Sequence, residues 1–243
     1  MNRYLLLILL LFVSNFSQAA EPEVLASFFG HSGIRDKSSV YHGEMLENFT
    51  DKPTLGEGMP NNVQYTVRKL DESQNKAVYA VLLSDGQHSQ DWYAFLVKES
   101  DIWKLSAVRC LALPGVFYMA LQELEKKSPR TEKEEWQYQN MLLTIKSDSD
   151  LKQYLRSHFF EFKTVAKLYS EGNKEQAKIA AKALLTSFIE SDDGTIKLNI
   201  GGILDNSVGF LYVPPGAHPP KMSADEIIYV EEIDDGWFIY KTT

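Results

Sequence analysis

The sequence predicts an α+β fold with an antiparallel β-meander, a central helical segment that contains an αα-hairpin, and C-terminal antiparallel β-hairpins. Three observations support this prediction. Four short strand-like segments follow one another over residues 62–113, helical periodicity replaces them over residues 116–190, and strand-like segments return after residue 194. Short turns between neighbouring strands indicate antiparallel pairing, because parallel strands need long crossover connections.

The N-terminus predicts a secretory signal peptide over residues 1–19. Arg3 provides a positive charge, residues 5–13 form an unbroken apolar run, and Ser17 and Ala19 place small side chains before a cut after Ala19. This order of charge, apolar run and small residues is typical of exported proteins. The run is shorter than the stretch of about 20 residues that a membrane-spanning helix needs. We therefore expect a periplasmic or secreted protein with no membrane span after removal of the signal.

The composition restricts the possible partners. The 243 residues include 25 Lys and Arg and 33 Asp and Glu, a net charge of −8 that becomes −9 when Arg3 leaves with the signal. Because an acidic surface repels nucleic-acid phosphates and anionic lipids, we expect no nucleic-acid partner. Apolar residues make up 44% of the chain and charged residues 24%, as in ordinary globular proteins.

The single cysteine, Cys110, excludes an intramolecular disulfide. Small exported domains often depend on disulfides, so we expect this chain to be held together by its core instead. Cys110 lies in an apolar run, where a buried and unreactive thiol is the usual outcome.

Residues 20–115 predict an N-terminal lobe built on an antiparallel sheet. Apolar and polar residues alternate over residues 63–67, as in a strand with one buried face. The two central strands, over residues 76–84 and 91–98, are rich in apolar residues on both faces. Strands with that composition are buried on both sides. We therefore expect both faces of this sheet to be covered at its centre.

The helical segment begins with a short helix over residues 116–127. Thr131 and Glu134 then have the spacing of a capping box, in which each side chain accepts a hydrogen bond from the other residue's backbone N–H. This box predicts a helix that runs from Thr131 to about residue 145.

An αα-hairpin is expected next. Apolar residues at helical spacing predict one helix over residues 150–170, which Gly172 ends, and a second over residues 174–190. Phe188 is expected on the inward face of the second helix.

A second β segment completes the lobe of residues 116–243. Four strands are predicted there, over residues 195–204, 208–213, 227–233 and 237–241. Two arrangements are open. The strands either return to the first sheet, which makes residues 20–115 and 116–243 one domain, or form a separate sheet on the helices.

Four residues near the N-terminus are the candidates for catalysis: His31, Asp36, His42 and Glu44. His31 lies in the sequence Gly-His-Ser-Gly, which is one residue shorter than the G-x-S-x-G spacing of a hydrolase nucleophile. His42 and Glu44 form H-x-E, which zinc deaminases follow with a pair of cysteines that this chain does not have. We therefore predict no metal and no cofactor.

The sequence favours an exported, soluble, non-enzymatic binding or interaction protein, because no complete catalytic constellation is present. Another exported protein is the expected partner. One alternative is a periplasmic hydrolase with a site near His31, His42 and Glu44, which requires these side chains to meet in one pocket. A second alternative is a carrier of small apolar ligands, indicated by aromatic residues such as Trp92 and Trp103. The carrier requires an enclosed apolar cavity of on the order of several hundred Å3.

Overall fold

The computed structural model describes residues 21–243, and within them eight α-helices and two antiparallel sheets are present. The predicted signal peptide lies outside the described residues. The α+β class is confirmed, with its meander, its helical middle and its C-terminal hairpins.

Three short helices that were not predicted precede the first sheet. They are α1 (Glu23–Phe29), α2 (Lys37–Val40) and α3 (Gly43–Asn48), followed by a 3-10 turn over Gly56–Gly58. Phe29, Tyr41 and Met45 from this region are buried in one cluster with side chains of the sheet. Helices of four to seven residues are too short to show a helical period in the sequence.

Sheet 1 is the predicted meander, with its four strands in chain order. The strands are β1 (Gln64–Glu72), β2 (Lys76–Ser84), β3 (Ser89–Glu99) and β4 (Ile102–Arg109). In β2, Val78 and Ala80 belong to one buried cluster, whereas Tyr79 and Val81 belong to another. The prediction that both faces of this sheet are covered is therefore confirmed.

Five helices follow: α4 (Gly115–Lys126), α5 (Glu132–Thr144), α6 (Asp148–Ser157), α7 (Phe159–Ser170) and α8 (Lys174–Ala183). The predicted capping box begins α5, where the N–H of Glu134 donates to Thr131 Oγ1 at 3.3 Å and the N–H of Thr131 donates to Glu134 Oε2 at 3.0 Å. The predicted αα-hairpin consists of α7 and α8, and it turns at Gly172, whose φ of 83° suits glycine.

The prediction of one helix over residues 150–170 is wrong, because α6 and α7 are separated at His158. This residue has a φ of −119° and a ψ of 25°, outside the helical region. Its ring Nδ1 lies 2.9 Å from the carbonyl oxygen of Tyr154, so the side chain competes for a carbonyl that the helix backbone uses. Apolar residues of both helices are buried in the same core, which explains why the periodicity continues through the break.

The prediction of a helix over residues 174–190 is also too long. Helix α8 ends before Leu185, which has a positive φ of 55°, and β5 (Phe188–Asp192) follows. The hydroxyl of Thr186 donates to a carbonyl in the last turn of α8 at 2.7 Å and so closes the helix. Phe188 lies on an edge strand and is 49% exposed instead of facing inward.

Sheet 2 contains the C-terminal strands and is separate from sheet 1, with the order β5-β6-β7-β9-β8. The remaining strands are β6 (Thr195–Ile203), β7 (Asn206–Tyr212), β8 (Ile227–Asp234) and β9 (Trp237–Thr242). Of the two open arrangements, the structure therefore has the separate sheet.

One buried cluster nevertheless contains side chains from both sheets and from the helices. Phe95 of sheet 1, Phe162 of α7, and Phe210 and Trp237 of sheet 2 belong to it. The ring of Phe162 meets those of Phe210 and Trp237 edge to face, with centroids 5.0 Å and 5.6 Å away. Because the core is shared, it fixes sheet 1 relative to sheet 2.

Candidate functional site

A cleft of about 570 Å3 opens where β2 turns into β3 at one end of sheet 1. Asp91 of β3 and Lys241 of β9 are among its polar lining residues, and residues 144–147, from the end of α5 to the residue before α6, line it too. Apolar side chains provide the larger part of the lining surface: Leu55, Met59, Val63, Leu83, Trp92, Leu111, Leu113, Tyr118 and Ile145.

Lys241 forms a buried ion cluster beside this cleft. Its Nζ lies 2.7 Å from Asp148 Oδ1 and 3.5 Å from Asp91 Oδ2, and its side chain is only 4% exposed. Tyr93 Oη donates to Asp148 Oδ1 at 2.8 Å. The N–H of Asp148, the first residue of α6, donates to Asp91 Oδ2 at 2.8 Å, so Asp91 is an anion placed at a helix N-terminus. The cluster therefore joins β3, β9 and α6.

The ammonium of Lys241 keeps its proton in spite of burial. Removal from water opposes the charged form, but the charges of Asp148 and Asp91 outweigh it and raise the pKa of Lys241. Burial and the neighbouring charge of Asp148 raise the pKa of Asp91. Nucleophilic attack and Schiff-base formation both require a free amine. Lys241 is therefore a fixed positive charge at neutral pH and not a nucleophile.

A second polar network extends this cluster across the interior. The ring of Tyr229 stacks on that of Tyr93, with centroids 4.8 Å apart, and Tyr229 Oη donates to Glu231 Oε2 at 2.7 Å. The same carboxylate oxygen lies 2.7 Å from Nη2 of Arg68 and 2.7 Å from Nζ of Lys152. Sheet 1, α6 and sheet 2 are thus connected by charges as well as by apolar packing.

His31 and Asp36 occupy different places in the N-terminal region. His31 Nδ1 lies 3.2 Å from the carbonyl oxygen of Gly56. Asp36 precedes α2 and accepts a hydrogen bond from Ser38 Oγ at 2.6 Å. Both side chains therefore make local contacts that hold the loops around the short helices.

His42 and Glu44 each have an ionic partner on sheet 1. His42 Nδ1 lies 2.9 Å from a carboxylate oxygen of Glu99. Glu44 accepts a hydrogen bond from Arg109 Nη1 at 3.0 Å. These contacts attach α3 and the residue before it to β3 and β4. Each of the four sequence candidates thus has a partner outside the set, and the cleft beside Lys241 is lined by other residues.

The described residues include neither a cluster of metal ligands nor a thiol with a lowered pKa. Within residues 21–243, no group of three or more His, Cys, Asp or Glu side chains is placed to hold a metal ion. Cys110 is half-buried, and burial raises the pKa of its thiol, which reduces the reactive thiolate fraction at neutral pH.

The residues of the ion cluster were not predicted as functional, although one signal was present. Trp237, Ile239 and Lys241 occupy alternate positions of β9, and the first two belong to the buried core. A lysine that continues the inward face of a strand is expected to be buried, and a buried lysine needs a carboxylate partner. Asp91 and Asp148 lie far from Lys241 in the sequence, so the partners could not be read from local spacing.

No helix in the part of the chain that the structure describes is long and apolar enough to cross a membrane. Comparisons of the chain with protein-family models, with curated proteins and with solved structures found no match. The inference of function therefore depends on the cleft and on the surface of this structure.

Proposed function

We propose that this chain is an exported, non-catalytic binding protein that holds an uncharged, mainly apolar small molecule in the cleft beside Lys241. The observation that carries this proposal is the size and lining of the cleft. Its volume of about 570 Å3 falls within the range of about 300–1,000 Å3 typical of small-molecule sites. Such sites combine apolar walls with a few polar groups, as this one does.

The balance of charges favours an uncharged ligand. Two lysines and two aspartates line the cleft, Lys146, Lys241, Asp85 and Asp91, so the positive and negative charges of the lining are equal in number. Trp92 offers an apolar surface, and its indole Nε1–H, shielded from solvent, has no hydrogen-bond partner among the described residues. Because solvent does not reach this N–H, a ligand in the cleft contacts Trp92 through its ring.

The buried amine of the cleft supports binding without amine-based catalysis. Lys241 is protonated and paired, and nucleophilic attack by a lysine needs a free amine. Neither His31 nor His42 lines the cleft, so the hydrolase alternative receives no support there. The carrier alternative is retained as part of this proposal for the volume of the cleft, which opens to solvent and is not the enclosed cavity that a carrier was expected to have.

Export and a second exported protein as partner belong to the same proposal. The supporting observation is the leader of residues 1–19, with its charge, apolar run and small residues. N-terminal sequencing of natural material from fractionated cells tests export. We expect the mature chain to begin at Ala20, and a cytosolic chain that begins at Met1 would contradict it.

Binding can be tested with N-phenyl-1-naphthylamine, an uncharged aromatic probe whose fluorescence rises in apolar surroundings. We expect saturable binding of one probe per chain. Val63→Trp and Leu113→Trp place a large side chain in the cleft and are each expected to weaken binding by about tenfold or more, since each removes volume from the site. Ile102→Trp is the matched control, because Ile102 is 54% exposed and lies outside the cleft. Equal binding by all three variants would refute the assignment of the cleft.

A further inference from the structure

Strand β5 is an exposed edge of sheet 2. It is five residues long and pairs with β6 on one side, and no other strand of residues 21–243 pairs with it. Four of its five residues are exposed. An open edge presents backbone N–H and C=O groups to which another chain can add a strand.

The same strand forms one wall of a groove across the outer face of sheet 2. Two adjoining cavities, of about 600 and 510 Å3, share Glu190, Lys197 and Thr242 in their linings. Tyr240, which is 1% exposed, also lines the groove. Residues between 218 and 227 line it as well. The groove therefore extends from the open edge toward the segment that precedes β8.

Four residues of β5 line this groove: Phe188, Glu190, Ser191 and Asp192. Because side chains of a strand alternate between its two faces, Phe188, Glu190 and Asp192 lie on the same face. A strand added beside β5 would place its own alternate side chains next to them. Leu204, which is 94% exposed, lines the same cavity as Phe188, so one end of the face is apolar and the other end is acidic.

The charges around β5 indicate what kind of chain fits. One lysine, Lys197, lines the groove and is already 2.9 Å from a carboxylate oxygen of Glu190. Six carboxylates line it: Glu190, Asp192, Asp193, Asp205, Asp225 and Glu226. They are distributed over both cavities, and no three of them converge on a metal position within the described residues. This distribution of carboxylates suits an extended chain with several positive charges better than a single metal ion.

A second copy of the same chain is a poor occupant. Pairing of two β5 strands would bring Glu190 and Asp192 of one copy next to the carboxylates of the other. Like charges directly across a strand pair are destabilising, and charged residues on an edge strand protect a protein from such self-pairing. A basic segment of another protein is attracted by the carboxylates at the same positions.

We propose that β5 and this groove are the docking site for an extended basic segment of a partner protein, which adds to sheet 2 as a sixth strand. The segment carries one apolar residue and two Lys or Arg residues at alternate positions, which match Phe188, Glu190 and Asp192. The docking site shares no lining residue with the cleft beside Lys241. Failure of one proposal therefore leaves the other standing.

A fluorescein-labelled heptapeptide in which threonine alternates with valine, lysine and lysine is the probe, measured by fluorescence anisotropy on the folded chain. We expect saturable binding at low salt that weakens as salt is added. The double variant Glu190→Lys with Asp192→Lys should bind about tenfold or more weakly, because two cross-strand attractions become repulsions. Glu123→Lys with Glu125→Lys makes the same change of net charge on α4 and should bind like the unmodified chain.

Hydrogen exchange on the unmodified chain separates strand addition from simple charge attraction. We expect the peptide to slow amide exchange over residues 188–192. Four results would overturn the proposal: no binding of the peptide, equal binding when its lysines are replaced by glutamates, binding that survives the Glu190 and Asp192 reversals, or binding that leaves exchange in β5 unchanged. Slowed exchange in β5 that grows with protein concentration in the absence of peptide would assign the edge to self-association instead and would also overturn it.

Discussion

Replacing Lys241 with methionine removes the positive charge from the buried ion cluster and keeps most of the side-chain volume. The side chains of Lys241, Asp148 and Asp91 are 4%, 6% and 10% exposed, so neither carboxylate can recover its hydration when the ammonium is absent. Removing one partner of a buried ion pair lowers the free energy of unfolding by about 3–5 kcal/mol, because the remaining charge is uncompensated.

Protonation of a carboxylate sets a limit on this loss. A carboxyl group with an ordinary pKa of about 3.9 can take up a proton at a cost of about 1.4 kcal/mol for each pH unit above that pKa. At pH 7 this cost is about 4 kcal/mol. In Lys241→Met the folded-state pKa of Asp91, which burial and the charge of Asp148 already raise, rises further above the unfolded value because the lowering effect of the lysine is lost. Stability is therefore lost as the pH rises and regained as it falls. We expect a loss of about 4 kcal/mol at pH 7 and about 1–2 kcal/mol at pH 5.

Urea unfolding followed by circular dichroism at pH 7, 6 and 5 measures this loss. Lys178→Met is the matched control, because Lys178 is exposed and pairs with Glu175 on the surface of α8, and it should leave the urea midpoint unchanged. Adding Asp148→Asn to Lys241→Met removes one negative charge and should restore more than half of the loss. The reasoning would be refuted if Lys241→Met lost less than about 1 kcal/mol at pH 7, or if its loss were the same at pH 5.

Three further predictions concern the core, the second polar network and the start of α5. Phe162→Ala empties a fully buried position in the shared core and should lower the free energy of unfolding by about 3–5 kcal/mol in urea unfolding. Glu231→Gln leaves the ammonium of Lys152, 16% exposed, without its counter-charge. This substitution should lower the free energy of unfolding by about 1–3 kcal/mol, and by less when Lys152 is also replaced by methionine. Hydrogen bonds from Lys127 first, and then from Thr131, lower the pKa of Glu134 to about 2 from 4.5. The group therefore stabilises the fold above pH 4.5, and its contribution disappears toward pH 2, so the difference in urea midpoint between the unmodified chain and Glu134→Gln should vanish there.

Much of the fold could be predicted because sheets and helices have distinct periods in the sequence. The two apolar central strands of sheet 1 indicated burial on both faces, and the buried clusters on either side agree. The errors have local causes that periodicity does not detect. One helix is interrupted at His158, whose backbone leaves the helical region and whose ring lies against the carbonyl oxygen of Tyr154. Leu185, with its positive φ, ends another helix early, although the apolar residues that follow it keep a spacing that also suits a helix.

The cleft could not be predicted in the same way, because its lining comes from segments that are distant in the sequence. Leu83 lies in β2, whereas Leu55, Leu113 and Ile145 lie between elements, and the four side chains meet only in the folded chain. Sequence motifs indicated His31 and its neighbours instead, because a motif consists of residues that are close together in the chain. Lys241 on the inward face of β9 is the one local sign of the site.

Burying the charges of the ion cluster has a cost in stability, and the position of the cluster beside the cleft helps to explain why the charges are present. Replacing a buried ion pair with apolar residues of similar volume is often neutral or stabilising, so the charges are not needed to hold the fold together. They do fix geometry, because Asp91, Asp148 and Lys241 come from β3, α6 and β9, and their ion pairs form in one relative placement of these elements. The second carboxylate oxygen of Asp148, Oδ2, is buried without a hydrogen-bond partner among the described residues. The proposed ligand site lies between the same elements, and a cleft keeps its shape only if its walls keep their positions. The buried charges are therefore best understood as a device that holds the cleft open in one conformation, at the expense of stability that an apolar core would have provided.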